Sequence, residues 1–285
     1  MARAFVEFIH SQQVPWAGAK VATHGAFSAA RARLQTKVLT RDDASGETSS
    51  LVSYARGFEW SEAACDGFDE EVFVLNGSIE GSFGSLRRHG YAYWTAGYPR
   101  TARAREDSVV LTFLNRDPNR VAARHRDEGL VQAHDPISQP WDQSNMDPRI
   151  SHLLPWRKNL RLSPDGTMRS YLLAGLPHGI PIAELMGVER HPVVEEMFMV
   201  FGDIHCPLGI MRAGSYFWRP PHEWHGPHYS LSGFLVFMRT PGSNTLTTEW
   251  SEPRERVTLD PAHRPILPVE YEAIGREPRP DPVEY

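Results

Sequence analysis

The sequence predicts an all-β protein made of two tandem β-barrels that arose by internal duplication. The first observation is texture: short apolar runs alternate with turn residues, and 23 prolines and 22 glycines are spread over 285 residues. The second observation is an internal repeat, because both halves of the chain contain the same features in the same order. The composition, with 41% hydrophobic and 23% charged residues, is that of an ordinary globular protein.

The predicted strands are rich in Val, Leu, Phe, Tyr and Trp and are short enough for a sandwich or a barrel. They span 37–40, 51–54, 71–75, 109–114, 171–173, 196–201, 214–219 and 234–239. Helical patterns are limited to 27–34, 121–126 and 269–274. The chain is therefore expected to be mostly β.

The repeat joins LQTKVLTRDDASGETSSLVSYARGF and EEVFVLNGSIEG of the first half to KNLRLSPDGTMRSYLLAGLPHG and EEMFMVFGDI of the second. The anchors are Tyr54 with Tyr171, Glu70 with Glu195, Gly77 with Gly202 and Gly90 with Gly214, at offsets of 117, 125, 125 and 124. The repeat predicts an N-terminal barrel over 1–120, a linker over 121–155, a C-terminal barrel over 156–251 and a tail over 252–285.

Charge and apolar patterning narrow the classes of partner. Thirty Lys and Arg against 35 Asp and Glu give a net charge of −5, which disfavours nucleic acid as a partner. No apolar stretch approaches the roughly 20 residues that a membrane helix needs, and no secretory leader is visible. Two cysteines without a CxxC motif suit a reducing compartment. We expect a cytoplasmic protein, a homodimer, that binds a small-molecule substrate and no membrane.

The second half contains candidate metal ligands in ERHPVVEEMFMVFG and GSYFWRPPHEWHGPHYS. His191 and Glu195 are four positions apart, so in an extended segment both side chains emerge on one face. His225, from a separate strand and turn, can approach the same point. Two imidazoles and a carboxylate suit a divalent metal, with Fe(II) preferred and Mn, Ni or Zn possible. Glu189 shares the parity of His191 and is expected to be the catalytic base or a fourth ligand.

These segments resemble the two motifs of the cupin superfamily. His191, Glu195 and Gly202 match the latter half of the first motif, with three and six residues between them. The second motif is matched by Gly214, Pro220, His222 and His225. His222 stands where cupins have a glycine. The first histidine of the family's HxH pair is Glu189 here, and the final asparagine is Tyr229. The resemblance is strongest to ChrR-like and acetylacetone-dioxygenase-like cupins and implies a bicupin.

Further residues surround the candidate ligands. His222, His228 and Glu196 are predicted either as alternative ligands or as groups that orient a ligand. A substrate pocket is predicted from apolar and aromatic residues and one arginine: Met197, Met199, Tyr216, Trp218, Trp224, Phe237 and Arg219. The alternative for most of these side chains is ordinary barrel core, and for the arginine a salt bridge.

The first copy has no imidazole in the corresponding places. Ala64, Asp66, Glu70 and Thr101 stand there, so this barrel is predicted to hold no metal and to be structural. A Ca or Mg site using Asp66, Asp69 and Glu70 is the alternative.

The leading function is that of a metal-dependent oxidoreductase, an Fe(II) dioxygenase acting on a small β-dicarbonyl or oxygenated aromatic compound. A redox-silent lyase, isomerase or decarboxylase would use the same ligands. A ChrR-like sensor would bind a small molecule or metal without turnover, and a storage protein would have an empty barrel.

Overall fold

The structure is a computed structural model that describes residues 3–19, 27, 29–63, 67–116, 130–177, 184–272 and 275. Strands dominate these residues, and the all-β prediction is confirmed. In chain order the strands are β1 (Val6–His10), β2 (Ala17–Gly18), β3 (Gln35–Arg41), β4 (Thr48–Tyr54), β5 (Glu59–Ala63), β6 (Asp69–Asn76), β7 (Ile79–Gly81), β8 (Gly84–Leu86), β9 (Tyr91–Trp94), β10 (Pro99–Ala104), β11 (Ser108–Asn115), β12 (Val131–His134), β13 (Trp156–Leu162), β14 (Arg169–Gly175), β15 (Glu189–Arg190), β16 (Glu195–Cys206), β17 (Gly209–Arg212), β18 (Ser215–Arg219), β19 (Phe234–Arg239) and β20 (Glu249–Trp250).

All eight predicted strands overlap observed ones, but the helical patterns give only short turns. A 3₁₀ turn covers Arg31–Arg33 and another covers Val269–Tyr271. The backbone of Leu34 is already extended, which ends the first turn directly before β3. Segments this short gain too few hydrogen bonds to sustain an α-helix. The pattern over 121–126 lies outside the described residues. No helix in the described part of the chain is long and apolar enough to cross a membrane.

The chain folds into two compact units. The first consists mainly of Val14–Gln139 and has a seven-stranded sheet in the order β12-β9-β6-β11-β4-β3-β2 and a four-stranded sheet in the order β5-β10-β7-β8. The second joins Phe5–Gln13 to Pro140–Glu284. Its large sheet runs β1-β18-β16-β19-β14-β13, with β17 paired to β16, and β15 pairs with β20.

Two strands that lie outside the repeat belong to other units than the repeat predicts. β1, which lies within the predicted N-terminal domain, pairs with β18 of the second unit. β12, which lies within the predicted linker, pairs with β9 of the first. Each is an added edge partner for a sheet that the repeat already forms, so the repeat alone could not place it.

Alternation along the central strand of each barrel defines its core. In the first unit Val72 and Val74 of β6 face a cluster of aromatic and aliphatic side chains. In the second unit Met197 and Met199 of β16 do the same. Cys206 belongs to this second core, where burial raises the pKa of its thiol to about 12.

The duplication is visible in the backbone of the two central strands. Glu70 begins the pairing of β6 with β9 as Glu195 begins the pairing of β16 with β18. At the same offset of 125, Gly77 and Gly202 both adopt the left-handed conformation, with φ of 79° and 83°. These two anchors of the repeat are therefore confirmed.

The glycine anchor near the end of the repeat is wrong by one residue, as the hydrogen bonds show. The Gly214 amide donates to the Met199 carbonyl at 2.8 Å, and the His89 amide donates to the Val74 carbonyl at 2.7 Å. Gly214 therefore corresponds to His89, which also has a positive φ, and not to the neighbouring Gly90.

The tyrosine anchor is wrong as well, because Tyr54 lies four residues further along β4 than the position that corresponds to Tyr171. Tyr171 lies opposite Met238 of β19. The equivalent place on β11 is Thr112, which lies opposite Ser50. Tyr171 therefore corresponds to Ser50 and not to Tyr54. Tyr54 and Tyr171 lie on the same face of their strands, but they do not occupy equivalent positions.

We predict that Gly202→Ala destabilises the protein far more than Gly166→Ala. Both glycines have positive φ, of 83° and 75°. A Cβ at Gly202 would lie 1.8 Å from the Gly233 carbonyl oxygen, whereas at Gly166 nothing lies within 4 Å. We expect a cost of about 1 kcal/mol for Gly166→Ala and of roughly 3 kcal/mol or more for Gly202→Ala. Urea unfolding of both variants measures this, and equal midpoints would contradict it.

Candidate metal centre

Two imidazoles in the second barrel are oriented by backbone carbonyls. His191 donates from Nδ1 to the Thr247 carbonyl oxygen at 3.1 Å, and His225 donates from Nδ1 to the Glu223 carbonyl oxygen at 3.0 Å. A carbonyl only accepts, so each Nδ1 bears a proton, and in the neutral form of the ring the lone pair is then on Nε2. This is the tautomer that a metal-binding histidine needs.

Backbone pairing places a carboxylate beside these imidazoles. Glu189 and His225 exchange both of their backbone hydrogen bonds, at 2.9 Å each, which makes them direct cross-strand neighbours. The His222 amide donates to the His191 carbonyl oxygen at 2.7 Å and fixes the segment that carries His191. Residues distant in sequence thus converge because short strands and turns are joined edge to edge.

The donor atoms form one group. Glu189, His191 and His225 each offer an atom within 4.8 Å of the others, the arrangement of a possible metal site. Glu195 borders the same space, with its carboxylate 3.9 Å from His191 Nε2 and 3.4 Å from His225 Nε2. All four residues that the sequence singled out for the centre therefore lie together. Glu189 is placed as a ligand at least as well as Glu195.

Glu195 is held by an ion-pair network that the sequence pattern does not reveal. Arg219 Nη1 donates to Glu195 at 2.6 Å, and its Nε and Nη2 donate to the two carboxylate oxygens of Glu7, the first at 2.8 Å. Burial by itself raises the pKa of the Glu195 carboxyl, but Arg219 and the imidazoles outweigh burial and lower it to about 2. Arg219 therefore positions a carboxylate and is not free to anchor a substrate.

The buried charges of the centre fit a divalent cation. Three carboxylates, those of Glu7, Glu189 and Glu195, face one guanidinium, which leaves two negative charges in excess. Burial lowers the pKa of His225 to about 3, with Arg219 adding to the effect, so this imidazole is uncharged at neutral pH. Burial raises and the adjacent histidines lower the pKa of Glu189, with a net lowering. Uncompensated buried charge is costly, and a bound M²⁺ would neutralise it.

Of the histidines predicted to neighbour the ligands, His228 lies beside the centre and His222 does not. His228 Nδ1 lies 3.4 Å from Glu189, and the backbone carbonyl of His228 is bonded by His152 Nε2 at 2.9 Å, so His228 orients a donor as predicted for it. The side chain of His222 is exposed, and its φ of 68° explains why the cupin motif has glycine at this place. The prediction of His222 as an alternative ligand is wrong.

Glu196 is also wrong as an alternative ligand, because it lies on the opposite face of β16. Neighbouring residues in a strand point to opposite faces, and Glu195 points to the centre. Glu196 instead accepts from the Tyr216 hydroxyl at 2.6 Å and from Arg239 at 2.5 Å.

The predicted pocket divides along the same two faces. Met197 and Met199 belong to the interior core beside Glu195. Three aromatic residues pair with Glu196 and Phe198 and so lie on the other face: Tyr216, Trp218 and Phe237. Their assignment to the pocket is wrong, because the parity of each strand depends on its register.

Trp224 is outside the pocket as well. It is 40% exposed, and its ring stacks beneath Arg190 at 4.5 Å and Arg254 at 5.3 Å. The pocket that does adjoin Glu189 and His225 is lined by side chains from other segments: Ile150, His152, Leu153, Met186, His228 and Trp250. Most of these lie in the predicted linker and beyond β19, where the sequence shows no periodicity to reveal them.

In the first barrel two arginines occupy the region that corresponds to the centre. Glu70 accepts from Arg31 at 2.6 and 2.9 Å and from Arg100. At the offset of 125 it is Arg100, and not the exposed Thr101, that corresponds to His225. Asp69 points to the other face and accepts from the Tyr93 hydroxyl at 2.6 Å, so the alternative Ca or Mg site is wrong. Ala64 and Asp66 lie outside the described residues.

Solved structures similar to this chain have the cupin fold. A "putative dioxygenase" from Nostoc punctiforme has a TM-score of 0.73 at 20% identity, covering 88% of this chain and 92% of that one. An oxalate decarboxylase from Lactobacillus farciminis in complex with formate has a TM-score of 0.55 at 9% identity, covering 85% and 88%. Protein YlbA from E. coli has a TM-score of 0.54 at 15% identity, covering 74% and 84%. The chain has the bicupin fold.

At these identities the similarity establishes the fold, and the cupin resemblance of the sequence is confirmed at that level. No protein-family model and no curated protein matches the chain. The ChrR-like subtype stays a prediction.

We predict that His225→Ala abolishes stoichiometric metal binding while His222→Ala leaves it intact. The His225 Nε2 lone pair faces the centre, whereas the His222 side chain points to solvent three residues earlier. Protein purified without added metal and analysed by inductively coupled plasma mass spectrometry measures the content. Full metal content in His225→Ala would exclude this histidine as a ligand.

We further predict that Glu189→Gln weakens metal binding by about tenfold or more, since even groups that only orient a ligand cost 10–100-fold. Glu223→Gln is the matched control, because its side chain is exposed close to His225. Competition against a chelating dye gives both affinities. Equal affinities would assign Glu189 to proton transfer instead of ligation.

Proposed function

We propose that the second barrel is a metal-dependent enzyme, and that it is an Fe(II) dioxygenase for a small β-dicarbonyl or oxygenated aromatic substrate. The observation that supports this most directly is the convergence of Glu189 with the Nε2 atoms of His191 and His225. Two imidazoles and one carboxylate are the donor set of non-haem iron oxygenases. The similar protein from Nostoc punctiforme bears the name "putative dioxygenase", which agrees with the proposal.

A bound divalent metal would polarise substrate oxygens and, as Fe(II), supply the redox chemistry with dioxygen. The chain supplies the remaining functions. His191 and His225 hold their Nε2 atoms towards the centre through their Nδ1 hydrogen bonds. Glu195 is held ionised by Arg219. The protein thus sets the geometry before any ligand arrives.

Glu189 and His228 are the groups that can hold or accept a proton at the centre. His228 Nδ1 lies 3.4 Å from Glu189 Oε1, and His225 Nε2 lies 3.9 Å from the same oxygen. A β-dicarbonyl must lose a proton to become an enolate, and a phenol must lose one to become a phenolate. A carboxylate beside the binding position is suited to take it, with His228 as the next acceptor.

The cavity beside the centre is small, about 10 Å³, and its walls are largely apolar. Ile150, Leu153, Met186 and Trp250 line it beside Glu189 and His225. Trp250 is fixed because its indole N–H donates to Asp147 at 2.8 Å. An apolar wall excludes water and strengthens electrostatic interactions at the centre.

A redox-silent lyase or decarboxylase is the second candidate. The same carboxylate and histidine pair would transfer the proton such a reaction needs, and oxalate decarboxylase is among the folds that match. This alternative needs Mn, Ni or Zn and no oxygen. Homodimer formation and cytoplasmic location stay predictions that light scattering and cell fractionation would test.

The test compares oxygen uptake by Fe(II)-loaded and Mn(II)-loaded protein on a panel of β-diketones, β-keto acids and catechols. A dioxygenase consumes oxygen in step with substrate in the Fe(II) form, and His225→Ala abolishes this whereas His222→Ala does not. Anaerobic release of carbon dioxide would support the second candidate and reject the dioxygenase. Binding of panel compounds to the metal-loaded protein without turnover in either arm would reject both and identify a sensor.

A further inference from the structure

The first barrel contains a buried cluster of charged side chains in which two arginines face one glutamate. Arg31 and Arg100 have fully buried side chains, and both bind the single carboxylate of Glu70. Burial raises the pKa of Glu70, but Arg100 and Arg31 outweigh burial and lower it to about 2, so the carboxylate is ionised. Among the described residues, two guanidiniums against one carboxylate leave one positive charge in excess. The other buried acids of β6, Asp69 and Glu71, point to the opposite face, where they bind tyrosine hydroxyls.

Several donors in this cluster have no acceptor among the described residues. Arg100 uses Nη2 for Glu70, whereas its Nε and Nη1 are buried without a partner. The indole N–H groups of Trp94 and Trp60 are buried without a partner too. A buried donor without an acceptor costs about 1–3 kcal/mol. Four of them in one barrel interior indicate a group that the polypeptide does not supply.

These donors belong to one place in the barrel. The Arg100 guanidinium lies 4.4 Å from the centre of the Trp94 ring. Arg100 pairs with residue 62 of β5 and Ala102 pairs with Trp60, so Trp60 is a diagonal neighbour of Arg100 on the interior face. Trp60 stacks on Tyr54 at 4.9 Å, and Tyr54 in turn interacts with Arg31. Aromatic rings therefore surround the unused donors.

We propose that the first barrel binds a small monocarboxylate at Arg100, Trp94 and Trp60. A carboxylate has two acceptor oxygens, which can accept from Nη1 or Nε of Arg100 and from the indole N–H of a neighbouring tryptophan. Its single negative charge would balance the excess positive charge of the cluster. The surrounding rings suit a molecule whose other end is short or apolar. This site is independent of the metal centre and of the function proposed for it.

The test uses the full-length protein after metal removal with a chelator and measures binding of formate, acetate and benzoate by isothermal titration calorimetry. Sodium chloride at equal ionic strength serves as the control for general anion effects. We expect one saturable site per chain for at least one carboxylate, with no such site for chloride.

Arg100→Lys keeps a cation for Glu70 but removes the Nε and Nη1 donors, so we expect at least tenfold weaker binding. Trp94→Phe keeps a ring beneath residue 100 and removes one N–H, so we expect severalfold weaker binding even where Arg100→Lys folds poorly. Trp141→Phe, an exposed tryptophan of the second unit, is the matched control and should bind like the wild type.

Three results would overturn the proposal. The first is that none of the three carboxylates binds to the wild-type protein. The second is that Trp94→Phe and a folded Arg100→Lys bind as the wild type does. The third is that His225→Ala removes the binding, since the carboxylate would then occupy the second barrel. Failure of the enzyme proposal would show in oxygen and carbon dioxide measurements and would leave this titration unaffected.

Discussion

Each barrel has a glutamate buried at the start of its central strand, and an ionised carboxylate in that position must be paired. The rest of both interiors can be understood from how Glu70 and Glu195 meet this requirement. In the first barrel two guanidiniums surround Glu70, and charge is over-compensated. In the second barrel Arg219 is shared between Glu195 and Glu7, and charge is under-compensated. One inherited carboxylate thus leads to an interior suited to an anion in one copy and to a cation in the other.

The replacement that separates the two copies is the one at the His225 position. Arg100 stands there in the first barrel at the common offset of 125, and it brings its own permanent charge to Glu70. A neutral imidazole brings a lone pair instead and needs a metal to provide the charge. A guanidinium cannot lose its proton at any ordinary pH, so the first barrel is committed to its present role. This is a physical account of how two copies of one fold can place different charges beside the same carboxylate.

Local pattern and spacing are sufficient to predict much of this molecule. Alternation predicts the strands, and the repeat predicts the duplication. The spacing of His191 and Glu195 identifies two residues of the centre, although the chain bends at 192–193 and is not the extended segment that the parity argument assumed. Prediction fails where it requires the register of one strand against another. A one-residue change in register moves a side chain to the other face, which is why the sequence pattern places Tyr216, Trp218 and Phe237 in a pocket they do not line. Glu7 could not be foreseen, because its strand joins the second barrel from the other end of the chain.

Glu189 occupies the place where the cupin motif has a histidine, and the charge of the centre gives this substitution a consequence. A histidine there would leave one negative charge in excess around Arg219, and a divalent cation would then bring the centre to a net positive charge. With glutamate the excess is two, so a divalent cation makes the centre neutral. A neutral centre attracts an anionic substrate less strongly than a positive one does, and it leaves a carboxylate available as a proton acceptor. For the proposed enzyme, the substitution would therefore favour substrates that enter uncharged and lose a proton at the centre over substrates that arrive as dianions.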